Sequence, residues 1–273
     1  MTSKLVEALQ LKLQPVSLLW QDEKPEKALE FKEGKWGCLM FHLVAAAKGK
    51  TAVVSRTSYG CYGGGVGMGL GNCYEQYPGG TEGFYRFLSE GNRGVAGAEH
   101  IAEALEKAGN KTMAHEFLYG ERYLKNADAA RRFVDTMAPR EIPAAYVVMR
   151  PMEEGDPDNP QVKSITFFVN ADQLAALTVL SHYDTPDRER VIAPFAAGCQ
   201  ATALALYKEH GKEFPRAIIG LMDLAARKNT RHLLPPDMLS FSLIPAMFKE
   251  LESHVAGSFL ETENWRNLIG SAD

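Results

Sequence analysis

No C-x-x-C pair occurs among the four cysteines of this 273-residue chain. That excludes a zinc ribbon and a ferredoxin-type run, both of which draw two ligands from one tight turn. There is no H-E-x-x-H for a zinc protease and no G-x-S-x-G for a hydrolase elbow. The G-x-G-x-x-G pattern fails as well: Gly65 and Gly67 are followed by Leu70, and Gly67 and Gly69 by Asn72. Gly49-Lys50-Thr51 resembles the end of a P-loop, but Val44 stands where the first glycine is needed, and the segment closes a helix where a P-loop opens one. Charge of one sign is lacking too. Thirty basic residues against 34 acidic ones leave a net charge of −4, so no basic face for nucleic acid is expected. Apolar runs of membrane length are missing: Leu39–Ala47 and Val191–Tyr207 are too short or interrupted. The N-terminus reads as an amphipathic helix with no signal-peptide h-region. A cytoplasmic protein with reduced thiols and no membrane partner is therefore expected.

No linker, low-complexity run or change of composition divides the chain. The expectation is one compact α/β domain over 1–273, with a mixed sheet. Strands are predicted at Val16–Trp20, Thr51–Arg56, Ala144–Met149, Ser164–Val169, Arg216–Gly220 and Leu239–Leu243, where β-branched and aromatic residues concentrate. Helices are predicted at Ser3–Leu13, Leu39–Ala47, Thr81–Ser89, Ala96–Ala108, Asn126–Thr136 and Ile192–His210. Ile244–Val255 and Thr262–Ile269 close the chain as helices. Asn170, with Gln173 three residues on, predicts a capping box opening a helix to about His182.

What stands out is Tyr59–Tyr77, YGCYGGGVGMGLGNCYEQY, which holds seven glycines and two of the four cysteines, Cys61 and Cys73. Glycine costs conformational entropy and offers no side chain to a core. So many together predict close approach of backbone to another backbone, a phosphate or a cofactor. The stretch reads as a flexible collar, with Gly60, Gly63, Gly64, Gly65 and Arg56 as its cofactor- or anion-binding candidates. Tyr59, Tyr62, Tyr74 and Tyr77 either line an aromatic pocket or anchor the collar to the domain.

The chain also echoes itself. Gly37-Cys38 opens an apolar helix that ends at Gly49-Lys50 before a strand; Gly198-Cys199 opens one that ends at Gly211-Lys212 before another. The repeat would run over about 15–60 and 164–225, giving two pseudo-symmetric halves with Cys38 and Cys199 in equivalent places. Where Cys61 follows the first strand, the second copy has Asp223 and Arg227 in that region and no thiol. Cys38, at a helix N-terminus, is expected to have its thiolate favoured by the macrodipole. His42, four residues beyond Cys38, and His182, at a helix end, are the candidates for a general acid or base; a core histidine and a C-cap are the structural alternatives.

Pro15-Val16, Gly37-Cys38, Cys61-Tyr62-Gly63-Gly64 with Gly69-Leu70-Gly71, the Cys199 helix, and Leu234-Pro235-Pro236-Asp237…Phe241…Pro245…Met247-Phe248 together resemble the DUF169 family. The resemblance covers most of the chain and brings no established mechanism. It implies a setting in anaerobic bacteria and archaea, where oxygen-sensitive metal or thiol chemistry is favoured. The leading expectation is a redox or sensing protein holding a [4Fe–4S] cluster on Cys38, Cys61, Cys73 and Cys199. A metal-free protein binding a small anion on the glycine stretch, and a thiol enzyme, are the alternatives. A redox partner or small-molecule ligand is expected, and a homo-oligomer is compatible with the sequence.

Overall fold

The computed structural model describes residues 3–33 and 35–270. Its strands are β1 (Val16–Gln21), β2 (Leu29–Glu30), β3 (Ala52–Ser55), β4 (Tyr146–Pro151), β5 (Val162–Val169), β6 (Val191–Ile192), β7 (Ala217–Gly220) and β8 (Leu239–Leu243). Its helices are α1 (Lys4–Ala8), α2 (Met40–Ala47), α3 (Tyr62–Met68), α4 (Gly80–Phe87), α5 (Ala98–Lys107), α6 (Lys111–Tyr119) and α7 (Ala127–Met137). After β4 come α8 (Ala171–Ser181), α9 (Gly198–Thr202), α10 (Leu204–Tyr207), α11 (Leu224–Thr230), α12 (Pro245–Ser253) and α13 (Glu263–Gly270). The fold is α/β. Within it the chain divides into two compact units. The first runs to Gly71 and resumes at Glu141; the second is Asn72–Arg140.

All eight strands lie in one sheet of the first unit, in the order β2-β3-β4-β1-β5-β8-β7-β6. The order reads as two copies of one pattern joined at β1 and β5, which pair antiparallel. In each half the central strand leads to a two-residue edge strand, which pairs parallel with its neighbour (β2 with β3, β6 with β7), and an antiparallel pair completes the half. Helices repeat in step. α3 packs on α9, as α11 packs on α2. The central strand β5 is buried along nearly its whole length, including the adjacent Phe167 and Phe168, whose side chains point to opposite faces. The sheet is therefore covered on both sides. Each such phenylalanine contributes about 1.5–3 kcal/mol of burial.

The second unit has its own aromatic core. Tyr74 stacks on Phe84 at 3.9 Å between ring centroids, and Tyr77 packs against Phe84, Phe87 and Phe117. Asn92, buried among α4 and α6, donates from Nδ2 to Gly83 O and Phe117 O at 3.0 and 3.1 Å. Of the collar's tyrosines, Tyr74 and Tyr77 are thus core residues of this unit.

Several elements depart from the sequence expectation. The N-terminal helix stops at Ala8, because Gln10 turns left-handed at φ +48°. The expected helix over Ile192–His210 is a short strand, a loop through Pro194, and two helical pieces broken at Ala203. Strand pairing with β7 claims Val191 and Ile192 before any helix can form. The capping box at Asn170 is present, with Gln173 N–H donating to Asn170 Oδ1 at 2.9 Å and Asn170 N–H to Gln173 Oε1 at 3.0 Å.

Candidate functional site

The glycine stretch is not a flexible collar. Residues Tyr62–Met68 form a helix, α3, closed by Gly69 in the left-handed conformation at φ 83°. Cys61 is its N-cap: the sulfur accepts from Gly64 N–H at 3.3 Å. The glycines serve helix contact. A Cβ on Gly67 would stand 3.0 Å from both Cys199 Sγ and Gln200 N, and one on Gly64 would stand 3.0 Å from Leu39 Cβ. Gly60 is left-handed at φ +75°, and a Cβ there would sit 2.5 Å from Gly37 O. So α3 approaches α9 and the start of α2 more closely than any side chain would permit. Gly65 lies within α3 and its N–H bonds Cys61 O, while a Cβ on Gly63 would meet nothing within 4 Å.

Asp223 does for α11 what Cys61 does for α3. Its Oδ1 accepts from Ala226 N–H, and its Oδ2 accepts from Gly198 N–H, both at 2.7 Å. The second bond ties the start of α11 to the start of α9. Cys199, one residue into α9, donates its thiol to Gly63 O at 3.3 Å, tying α9 to α3. Cys38 lies two residues before α2, with Asn229 of α11 near enough to favour its thiolate slightly. Four chain segments thus bring Cys38, Cys61, Cys199 and Asp223 into one region of the first unit. The two Gly-Cys segments occupy matching places in the two halves, and so do the two N-caps, one a thiol and the other a carboxylate.

These groups feel one another's charge. Burial pushes the Cys38 thiol up to about 12, and Cys61 and Asp223 push in the same direction. Cys199 is raised well above the ordinary thiol value, first by burial and then by Cys61, Cys38 and Asp223. Burial raises Cys61 too, against the N–H groups of Leu39 and Gly64. The expected thiolate at Cys38 is therefore corrected: desolvation outweighs the helix field, and the thiols are protonated at neutral pH. Asp223 is also raised, chiefly by burial. Cys61 is half-buried, whereas Cys38 and Cys199 are buried.

The other sequence candidates fall elsewhere. Cys73 begins a 3₁₀ turn, Cys73–Gln76, in the second unit and is buried there. Arg56 is committed to protein: Nε donates to Glu141 Oε1 at 2.8 Å, Nη1 to Ala144 O at 3.0 Å and Nη2 to Ile142 O at 2.9 Å. It clips the chain where it returns from the second unit. His42 stacks on Phe31 with 4.0 Å between ring centroids, and its Nε2 is buried with no hydrogen-bond partner among the described residues. Burial lowers its pKa to about 4, which makes it a neutral core histidine. His182 ends α8, with Nδ1 2.7 Å from Thr178 O. Sequence reasoning did not single out Asp223 and Asn229 as site residues. A signal for Asp223 existed in its place after the second Gly-Lys strand and in the Asp-x-x-Ala start of a helix.

Among the described residues, no three of His, Cys, Asp and Glu come close enough together to hold a single metal ion. No helix among them is long and apolar enough to cross a membrane. A family model, DUF169, with the description Uncharacterised ArCR, matches residues 4–254. The chain belongs to the DUF169 family. Neither a curated protein nor a solved structure matches this DUF169 chain. The matched span takes in all four site residues, Cys38, Cys61, Cys199 and Asp223.

Proposed function

We propose that this DUF169 protein holds an iron–sulfur cluster of redox or sensing type on Cys38, Cys61 and Cys199, with Asp223 in the fourth place. The observation that supports this is the mutual electrostatic coupling of three thiols and a carboxylate drawn from four separate segments. Asp223 takes the place that the sequence reading assigns to Cys73, which belongs to the second unit. Among the described residues no group of three His, Cys, Asp or Glu stands ready to hold a metal, so loading a cluster would require the four segments to draw closer together. The N–H groups of Leu39 and Gly64 near the Cys61 sulfur suit the same role, since hydrogen bonds to sulfur tune cluster potential. Because the thiols are protonated at neutral pH, loading would release protons and strengthen as pH rises.

The missing ion-sized donor set favours one other reading: metal-free thiol chemistry at Cys61, the most accessible of the three site thiols. Purification without oxygen, visible absorption, and iron and sulfide assays separate the two. The cluster reading expects a brown protein whose colour is lost in Cys61→Ser and kept in Cys73→Ser. A colourless protein with four titratable thiols, still iron-free after anaerobic incubation with ferrous iron and sulfide, would falsify it.

A further inference from the structure

Where β7 runs into α11 and the chain returns toward β8, a cleft of about 230 Å³ opens in the first unit. Leu221, Leu224 and Met238 line it with apolar surface, and Arg227, Lys228 and Arg231 bring positive charge. Arg227 is held rigidly. Its Nη1 reaches Leu221 O and Met238 O, both at 3.4 Å, and its Nη2 donates to Pro236 O. Carbonyl oxygens orient a guanidinium without neutralising it. Asp223, which feels the Arg227 charge, accepts from the N–H groups of Gly198 and Ala226. Arg231 is exposed and makes no ion pair among the described residues.

Two further features mark the same spot. Leu221 is left-handed at φ +61°, a conformation that costs a non-glycine residue about 1–3 kcal/mol and concentrates at ligand sites. Leu224 is 65% exposed and Met222 45%, so apolar side chains stand in water beside the cations. The cleft is smaller than the roughly 300–1,000 Å³ of ordinary small-molecule pockets, which disfavours a nucleotide.

We propose that this cleft binds a small organic monoanion, a carboxylate on a short apolar body. The carboxylate lies against Arg231 and Arg227, and the apolar body covers Leu224 and Met238. The site is separate from the glycine stretch, where the sequence suggested anion binding, and it does not rest on the cluster reading.

The test titrates the full-length, iron-free protein with hexanoate by calorimetry, alongside hexanol and inorganic phosphate. Hexanoate should bind saturably, hexanol should not, and phosphate should bind more weakly than hexanoate. Arg231→Gln and Leu224→Ser, both at exposed positions, should each weaken hexanoate binding about tenfold, or about 1.4 kcal/mol, with unchanged circular dichroism. Absence of saturable hexanoate binding overturns the proposal. So does binding that neither variant alters, or phosphate binding as tight as hexanoate. Because the protein carries no iron in this experiment, its failure leaves the cluster reading untouched.

Discussion

Two glycines of the same helix should respond in opposite directions to the same substitution. Gly63 and Gly67 both lie in α3. A Cβ on Gly63 meets nothing within 4 Å, whereas one on Gly67 meets Cys199 Sγ and Gln200 N at 3.0 Å and Cys199 C at 3.1 Å. Replacing a helical glycine by alanine gains about 0.5–1 kcal/mol from reduced chain entropy. Gly63→Ala should realise up to about that gain, somewhat less in the first turn. Gly67→Ala has the same gain, but two of its three neighbours are α9 backbone and the third is a thiol held on Gly63 O. Neither can retreat without moving α9. Overpacking of this kind costs about 1–3 kcal/mol, so the net effect is a loss of about 1 kcal/mol. Thermal unfolding followed by circular dichroism should separate the two variants by several degrees, at about 2–4 °C per kcal/mol for a chain of this size. A Gly67→Ala protein as stable as Gly63→Ala would refute the claim that Gly67 exists for the α3–α9 contact.

Arg56→Ala should cost about 1–3 kcal/mol in urea unfolding, because Ile142 O and Ala144 O lose their donor. Glu141→Ala should cost under about 0.5 kcal/mol, since that carboxylate is largely exposed; equal losses would mean that the ion pair matters more than the carbonyl clip. His42 should destabilise the protein in acid. Its pKa falls from 6.5 to about 4 on folding, so the unfolded chain binds the extra proton and stability is lost as pH drops through that window. His42→Phe should flatten the dependence between those pH values, and an unchanged acid limb would assign it to other groups.

Much of the sheet was legible because strand composition is local. The six strands read from β-branched and aromatic runs lie within a few residues of β1, β3, β4, β5, β7 and β8. The two edge strands, of two residues each, were not. Their existence depends on a parallel neighbour and not on their own residues. The capping box at Asn170 was readable for the same reason as the strands, since both partners lie within one turn. Cys61 and Cys199 were nameable as candidates, and Cys38 was placed at a helix start. The thiolate expected at Cys38 was not realised, because burial is a property of the whole fold and the helix field is not.

From the sequence alone it could be read that the chain is α/β, that glycines and two of its thiols concentrate in one stretch, and that Gly-Cys recurs in matching contexts. Each is a statement about neighbours along the chain. Which groups meet depends on how distant segments fold together. The tertiary structure placed Cys73 in a separate unit, spent Arg56 on a backbone clip, and set Asp223 opposite Cys61 as the cap of a matching helix. It also turned five of the seven glycines from an expected collar into a helix and its cap. Glycine's missing side chain permits a flexible loop and a close helix contact equally well. The choice between them was made by α9, more than a hundred residues further along the chain.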